Sequence, residues 1–299
     1  DFNKTPDHVA FFMTFFVFTA GVKTADLPSK EGSGLLYMPH ADRLIKTDYS
    51  NYKQINITMK TDQIFKTKFE KSSDFKFDSA VVDVFDDMVI RSVPFYLEIQ
   101  RMITEIAFDY ARPDTSLYDL GCSTGTTLLS LDSALDKSIK FVGIDDSDEM
   151  LDTCRKNFEA RNISRPYELM NRDLNRHFDV SNASVVILCL TLQFVRPVHR
   201  PKLLKSLCYQ MNRGGCIIII EKVLGETTEF NRKFIKYYYD LKRRNSYDEM
   251  EIAQKREALE NVLIPYKVSE NIQLLLDAGF RSGEIFFKWH NFAGFVAIK

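Results

Sequence analysis

Residues 116–131, SLYDLGCSTGTTLLSL, decide how the rest of the chain is read. An apolar run ending in Asp119 has the pattern of a buried strand, a loop bracketed by Gly121 and Gly125 follows, and an apolar helical pattern starts behind it. Glycine lets backbone approach a ligand or adopt positive φ, and the first N–H groups of a helix are free to donate. A small polar ligand suits such a turn. The spacing is neither G-x-G-x-x-G nor G-x-x-x-x-G-K-[ST], which disfavours a dinucleotide or a nucleoside triphosphate and leaves a nucleoside without phosphates.

About 20 residues further on, Phe141-Val142-Gly143-Ile144 ends in Asp145-Asp146, where doubly wound folds place the acid that accepts ribose hydroxyls. D-x-G-x-[ST]-x-G with an acid at the end of the next strand resembles the S-adenosylmethionine-dependent methyltransferase superfamily. Working outward, strands are expected at Leu117 to Leu120, Lys140 to Asp145, Tyr167 to Met170, Ser184 to Leu190 and Cys216 to Ile220, with helices between them. The last two are continuous apolar runs, as strands buried on both faces should be. Ser147 is an N-cap candidate for the helix carrying Met150, Leu151, Cys154 and Phe158. Near the end, a helix from Val268 to Ala278 precedes two strands, near Glu284 to Trp289 and Phe292 to Ile298, joined tightly enough for an antiparallel hairpin.

Ahead of the first strand, Phe77 to Met88 reads as one helix, and Pro94 opens a second carrying Tyr96, Ile99, Ile103, Ile106 and Tyr110. Behind the fifth strand, helical stretches at Phe230 to Leu241 and Glu249 to Val262 form an insertion. The expected architecture is therefore an α/β, Rossmann-like fold with a mostly parallel seven-stranded sheet and a C-terminal antiparallel hairpin. A helical lid would span residues 59–115, and the nucleoside-binding domain 116–299 would contain a helical insertion at 226–264.

Of the 299 residues, 40 are Lys or Arg and 41 are Asp or Glu, so nothing in the total favours tight nucleic-acid binding. The five cysteines form no C-x-x-C and are odd in number, and the five histidines are scattered, so neither a disulfide framework nor a metal is expected. A reducing cytoplasm fits. Val9 to Val22 is apolar but shorter than a membrane-spanning helix, and a basic region and a clean cleavage site for a signal peptide are both missing. The chain opens on Asp1 and Met59 precedes a plausible start, so residues 1–58 are expected to be a poorly ordered extension or translated upstream sequence; the rival reading is a membrane-surface or packing element.

Several longer segments sharpen the resemblance: FDSAVVDVFDDMVIRSVPFY, TLQFVRP, GGCIIIIEK and FNRKFIKYYYDLKRRNSYDEMEIAQKREALENVL. Together with the glycine loop they resemble the carboxy-S-adenosyl-L-methionine synthase family from about Phe77 to Lys299. IRSVPFY and EIAQKREALENVL are the specific pieces, since ordinary methyltransferases carry neither. The resemblance implies an enzyme that takes S-adenosyl-L-methionine and prephenate to carboxy-S-adenosyl-L-methionine and phenylpyruvate, a product another enzyme uses to carboxymethylate a wobble uridine in tRNA. It further implies a homodimer and direct contact with neither nucleic acid nor membrane.

Residue by residue, the resemblance places Gly121, Cys122 and Ser123 around the amino-acid end of the cofactor and Asp145 with Asp146 at its ribose. Asp173 and Leu174 would hold the adenine, and Tyr96 and Arg256 the transferred carboxylate. A carboxylate accepting hydroxyl protons is a strong charge-assisted arrangement. Without the resemblance, Tyr96 reads equally as lid packing and Arg256 as a solvated helix face. A guanidinium about 4 Å from a carboxylate attracts it by on the order of 4 kcal/mol at an effective dielectric of about 20, before desolvation, and would repel a bare sulfonium. Arg256 should thus prefer the carboxylated ligand, and lysine would lack its planar fork. Prephenate's departing hydroxide is the expected base.

One departure stands out. Cys189 occupies a position near the ligand where the family commonly has asparagine, and a thiol is a weak donor and acceptor. Two other readings remain open: a methyltransferase acting on tRNA or a small molecule, for which Lys242-Arg243-Arg244 and the nearby tyrosines would be an RNA surface, and a non-catalytic S-adenosylmethionine-binding protein.

Overall fold

The computed structural model describes residues 61–64 and 79–299. The expectations for residues 1–58 and for the head of the lid lie outside the described residues. Seven strands run in the spatial order β3 (Tyr167–Asn171), β2 (Lys140–Asp145), β1 (Ser116–Leu120), β4 (Ala183–Cys189), β5 (Cys216–Leu224), β8 (Phe292–Ile298), β7 (Ser282–Trp289). The first five are parallel; β8 is antiparallel to both neighbours. An eighth, two-residue strand, β6 (Tyr266–Lys267), pairs with Val223 and Leu224. It adds to the seven expected, because two residues are too few to show a period.

The strand order reverses at β1, which has β2 on one side and β4 on the other. In an open parallel sheet that is where a crevice opens beyond the carboxyl ends of the strands, so the glycine loop after β1 sits at its mouth. Burial explains the central strands: every residue of β1 is buried, as is β4 up to its last residue. The edge strand β3 is half-exposed and reads weakly for that reason. Beyond Ile220, β5 continues for four more residues because β8 keeps pairing with it, Glu221 against Ala293 and Lys222 against Phe292. Lys222 therefore rides the strand into the crevice, while Glu221 on the opposite face is buried.

The lid differs from its expected form. The segment read as one helix is two, α1 (Ser79–Val82) and α2 (Phe85–Ser92), broken at Asp83-Val84. Three β-branched valines over the junction weaken helix continuity, and the break lets Val81 and Met88 both pack on Met150. Helix α3 (Tyr96–Tyr110) buries Ile99, Ile103 and Ala107 at four-residue spacing beneath the sheet. The remaining sheet helices are α4 (Thr126–Leu131), α5 (Asp148–Ala160), capped by Ser147 as the sequence indicates, and α6 (Arg200–Gln210). After the insertion, α9 (Val268–Asp277) leads into the hairpin.

The insertion consists of α7 (Thr228–Arg244) and α8 (Glu249–Leu259). Thr227 caps the first, and a capping box between Asp248 and Glu251 starts the second. Their inward faces are unusual. On α7 the buried residues are Tyr238 and Lys242, four apart; on α8 they are Glu251, Ile252, Lys255 and Ala258. Arg91 of α2 clamps the turn between the two helices, donating from Nε to the Asn245 carbonyl at 2.9 Å and from Nη2 to the Ser246 carbonyl at 3.0 Å. Lid and insertion are thereby one roof.

Candidate active site

Beneath that roof lies a cavity of about 380 Å³, within the usual range for a small-molecule site. Every position singled out in the sequence borders it. Gly121, Cys122 and Ser123 of the loop after β1, which form its floor, line it together with Asp145 and Asp146 after β2, Asp173 and Leu174 after β3, Cys189 at the end of β4, Tyr96 of the lid and Arg256 of the insertion. Arg256, more than a hundred residues from the glycine loop in sequence, reaches the same cavity within one chain.

The floor is built by hydrogen bonds that the loop makes with β2. Gly121 N–H and Cys122 N–H both donate to the Ile144 carbonyl, at 2.6 and 3.0 Å, and Ser123 N–H donates to Asp145 Oδ2 at 2.9 Å. Asp145 Oδ1 accepts from Ser147 N–H at 3.1 Å. This buried carboxylate therefore ties the loop to the start of α5, and burial lifts its pKa to about 6 against those hydrogen bonds. Asp146, the next residue, is exposed to the cavity. It is the better placed of the pair to receive hydroxyl groups. The Cys122 thiol turns into the core, hydrogen-bonded to Cys154, so this position meets the cavity through backbone.

Gly121 adopts φ +78°, and a Cβ there would come 2.5 Å from the Thr191 side chain. A substituent would fill the floor where a ligand must lie close. After β3, Asp173 Oδ1 accepts from the Asn175 N–H and amide at 2.8 and 2.9 Å. Against the upward push of partial burial, those bonds hold its pKa below the ordinary carboxylate range. It stays charged.

Four residues that sequence reasoning did not assign complete the surroundings. Asp86 of α2 accepts from the Thr124 and Thr126 hydroxyls at 2.9 and 3.0 Å, which latches the lid to the glycine loop. Asp119 is 1% exposed, and neither carboxylate oxygen has a hydrogen-bond partner. Burial, with Asp145 nearby, raises its pKa to about 8. Gln100 of α3 donates its amide to the Cys189 sulfur at 3.7 Å, and its Oε1 is unpartnered. Burial keeps the Cys189 thiol neutral by pushing its pKa up. Lys222, whose pKa burial lowers to about 8, stands at the carboxyl end of β5; charge at that end of a parallel strand was the available signal.

The donor set is thus bipolar. Asp145, Asp146, Asp173 and Glu260 line the site with the glycine floor, and so do Arg256 and the lysines of β5, α7 and α8, so both signs of charge meet in one cavity. A nucleoside bearing a cationic centre near its middle fits this distribution, with the latent carboxylate of Asp119 behind the floor as complement. Among the described residues no cluster of three or more His, Cys, Asp or Glu side chains could hold a metal, and no helix is long and apolar enough to cross a membrane.

A family model described as a methyltransferase domain matches residues 117–215, from β1 to the turn before β5. Among solved structures, an O-methyltransferase family protein from Burkholderia thailandensis aligns with a TM-score of 0.56 at 15% identity, covering 87% of this chain and 69% of that one. A SAM-dependent methyltransferase from Aquifex aeolicus aligns at 0.51 with 17% identity, covering 75% and 99%. Those likenesses carry the fold alone. The sequence comparisons go further: carboxy-S-adenosyl-L-methionine synthase from Methylococcus capsulatus is 51% identical over 242 residues, 81% of this chain and 100% of the relative. The protein of the same name from Desulfotalea psychrophila is 42% identical over 244 residues, 81% and 99%. With identity at that level across the whole length of such relatives, the chain belongs to the carboxy-S-adenosyl-L-methionine synthase family, on a class I S-adenosylmethionine methyltransferase fold.

Proposed function

We propose that this protein converts S-adenosyl-L-methionine and prephenate to carboxy-S-adenosyl-L-methionine and phenylpyruvate, supplying the carboxymethyl donor for wobble-uridine modification of tRNA. The observation that carries the reading is that Arg256 lines the same cavity as the glycine loop and Asp145, Asp146 and Asp173. A methyltransferase has no use for a cation there, because it would repel the sulfonium it must bind; an enzyme whose product bears a carboxylate on that carbon does.

Bound S-adenosyl-L-methionine would supply a methyl carbon made acidic by the adjacent sulfonium. The donor gives up its ring carboxylate as carbon dioxide and its ring hydroxyl as hydroxide while the ring becomes aromatic. The hydroxide leaves as water with one methyl proton, and the carbon dioxide bonds to that carbon. Charge balances: a dianion and a monocation give phenylpyruvate monoanion, a neutral carboxylated product and water.

In this reading the chain's residues bind, orient and exclude water. Asp146 accepts the ribose hydroxyls, with Asp145 holding the loop; Asp173 and Leu174 take the adenine amine and ring face. The backbone of Gly121, Cys122 and Ser123 lies along the amino-acid end, near Cys189. Tyr96 and Arg256 hold the carboxylate. Met88 and Val89 of the lid close the cavity above, keeping water from competing for carbon dioxide. The exposed Phe230, Ile235 and Tyr237 on α7 support a homodimer, and free cysteines throughout the described chain suit the cytoplasm.

Incubation with both substrates tests the reading. A nucleoside heavier by one carbon dioxide, formed with an equal amount of phenylpyruvate, is the expected result. S-adenosylhomocysteine with a methylated acceptor would mark an ordinary methyltransferase, and binding without turnover a non-catalytic protein.

A further inference from the structure

Three lysines approach the cavity under the roof, and the protein neutralises one of them. Lys255 of α8 pairs with Asp62 at 3.6 Å and donates to Ser92 Oγ at 3.1 Å and to the Tyr247 hydroxyl at 3.3 Å. Lys222 of β5 and Lys242 of α7 have no such arrangement. Each ammonium lies 5.0 Å from the centre of the Tyr238 ring, and both residues border the cavity. Among the described residues neither ammonium makes a hydrogen bond or an ion pair. Lys242 is only 4% exposed, so it does not reach water along its stem.

Placing two ammonium groups over one buried ring is costly. An unpaired buried charge costs more in lost hydration than its contact with the ring face returns. Burial, then repulsion from Lys255 and Lys222, drives the pKa of Lys242 well below the usual lysine range. An arrangement this unfavourable when empty is the complement of an anion.

We propose that Lys222 and Lys242 seat the carboxylate of the donor that is not transferred, the one retained by the departing α-keto acid. The inference rests on the proposed function and adds to it a second anion subsite, separate from Arg256. Two seats are required by the chemistry: the carboxylate that is lost must become neutral carbon dioxide, and a pair of cations gripping it would oppose that loss. Firm hold on the spectator carboxylate orients the donor without stabilising the group that leaves.

The test uses Lys222→Met and Lys242→Met in the full chain, with Lys242→Arg as the charge-keeping control. Loss of a charged hydrogen bond predicts a KM for prephenate roughly tenfold to a hundredfold higher in each Met variant, with recovery in Lys242→Arg. S-adenosyl-L-methionine should bind no more weakly. Calorimetry of phenylpyruvate with the S-adenosyl-L-methionine-saturated protein needs no turnover: binding to wild type, lost in both Met variants, is expected. Removing an unpaired buried charge should leave the unliganded melting temperature unchanged or higher, whereas a purely structural role would lower it. Unchanged KM and phenylpyruvate affinity in both Met variants, or no phenylpyruvate binding to wild type, overturns the subsite. If wild type yields no carboxylated product yet phenylpyruvate binding follows the lysines, the proposed function fails and the anion seat stands.

Discussion

The amide nitrogen of Gln100 lies 3.7 Å from the sulfur of Cys189, joining the lid-side helix α3 to the end of β4 behind the cavity wall. The thiol is a weak partner on its own; here the helix brings an amide to it. Gln100 is fully buried and its carbonyl oxygen is unpartnered; it meets the cavity only through Cys189, whose thiol its amide supports from behind. Gln100→Leu should weaken S-adenosyl-L-methionine binding about tenfold, the worth of one buried hydrogen bond. Calorimetry would show it, and Cys189→Asn should restore part of the loss. Undiminished affinity in Gln100→Leu would assign the residue to packing.

Under the proposed function, Arg256 carries the preference between ligands. Arg256→Ala should keep the fold, because the side chain is exposed and pairs with no acid among the described residues. Its affinity for carboxy-S-adenosyl-L-methionine should fall at least tenfold, while S-adenosyl-L-methionine binds as well or better once the repulsion is gone. Competition binding of the two nucleosides reads the ratio directly. A mutant that discriminates as wild type does contradicts the assignment.

Asp119 sets a pH dependence. Its pKa is about 8 in the folded protein and about 3.9 in an unfolded chain. The folded state therefore binds more protons between those values, and stability is lost as pH rises through the window. Asp145, at about 6, contributes only to the lower part. Asp119→Asn should flatten the fall in melting temperature of the unliganded protein between about pH 6 and 8 and raise stability at the upper end. An unaltered slope would show that the carboxyl is not protonated in the folded state.

Gly121 is constrained twice, by φ +78° and by Thr191 at 2.5 Å from any added Cβ. Gly121→Ala should cost about 1–2 kcal/mol in backbone strain alone and displace the floor into the ligand volume. Chemical denaturation and binding of S-adenosyl-L-methionine both report it. Thr191→Ala in the same chain should recover part of the stability, since it removes the clash and leaves the strain.

Much of this was legible because the informative residues are neighbours in sequence. VVIL and IIII declare central strands, and Gly121, Gly125 and Asp145 lie within one crossover, where local pattern and ligand geometry coincide. The cationic wall was not legible by that route. Lys242 occurs in a Lys-Arg-Arg run that resembles a solvated face, and only the pairing of α7 with Tyr238 inward turns it to the cavity. Lys222 is carried inward by the extension of β5 on β8, which an apolar run ending at Ile220 conceals. Asp119 reads as the last polar residue of a strand; its isolation from hydrogen-bond partners exists only in three dimensions. The break at Val84 depends on both flanking turns reaching Met150.

Under the proposed function, the cavity moves a carboxyl group onto S-adenosyl-L-methionine. Prephenate labelled isotopically at its ring carboxylate tests it most directly, with the purified protein and S-adenosyl-L-methionine as the only other components. Label is expected in a nucleoside product heavier by one carbon dioxide, in equal amount to unlabelled phenylpyruvate. Label recovered only as free carbon dioxide or unconsumed prephenate, with the nucleoside unchanged or demethylated, would contradict it.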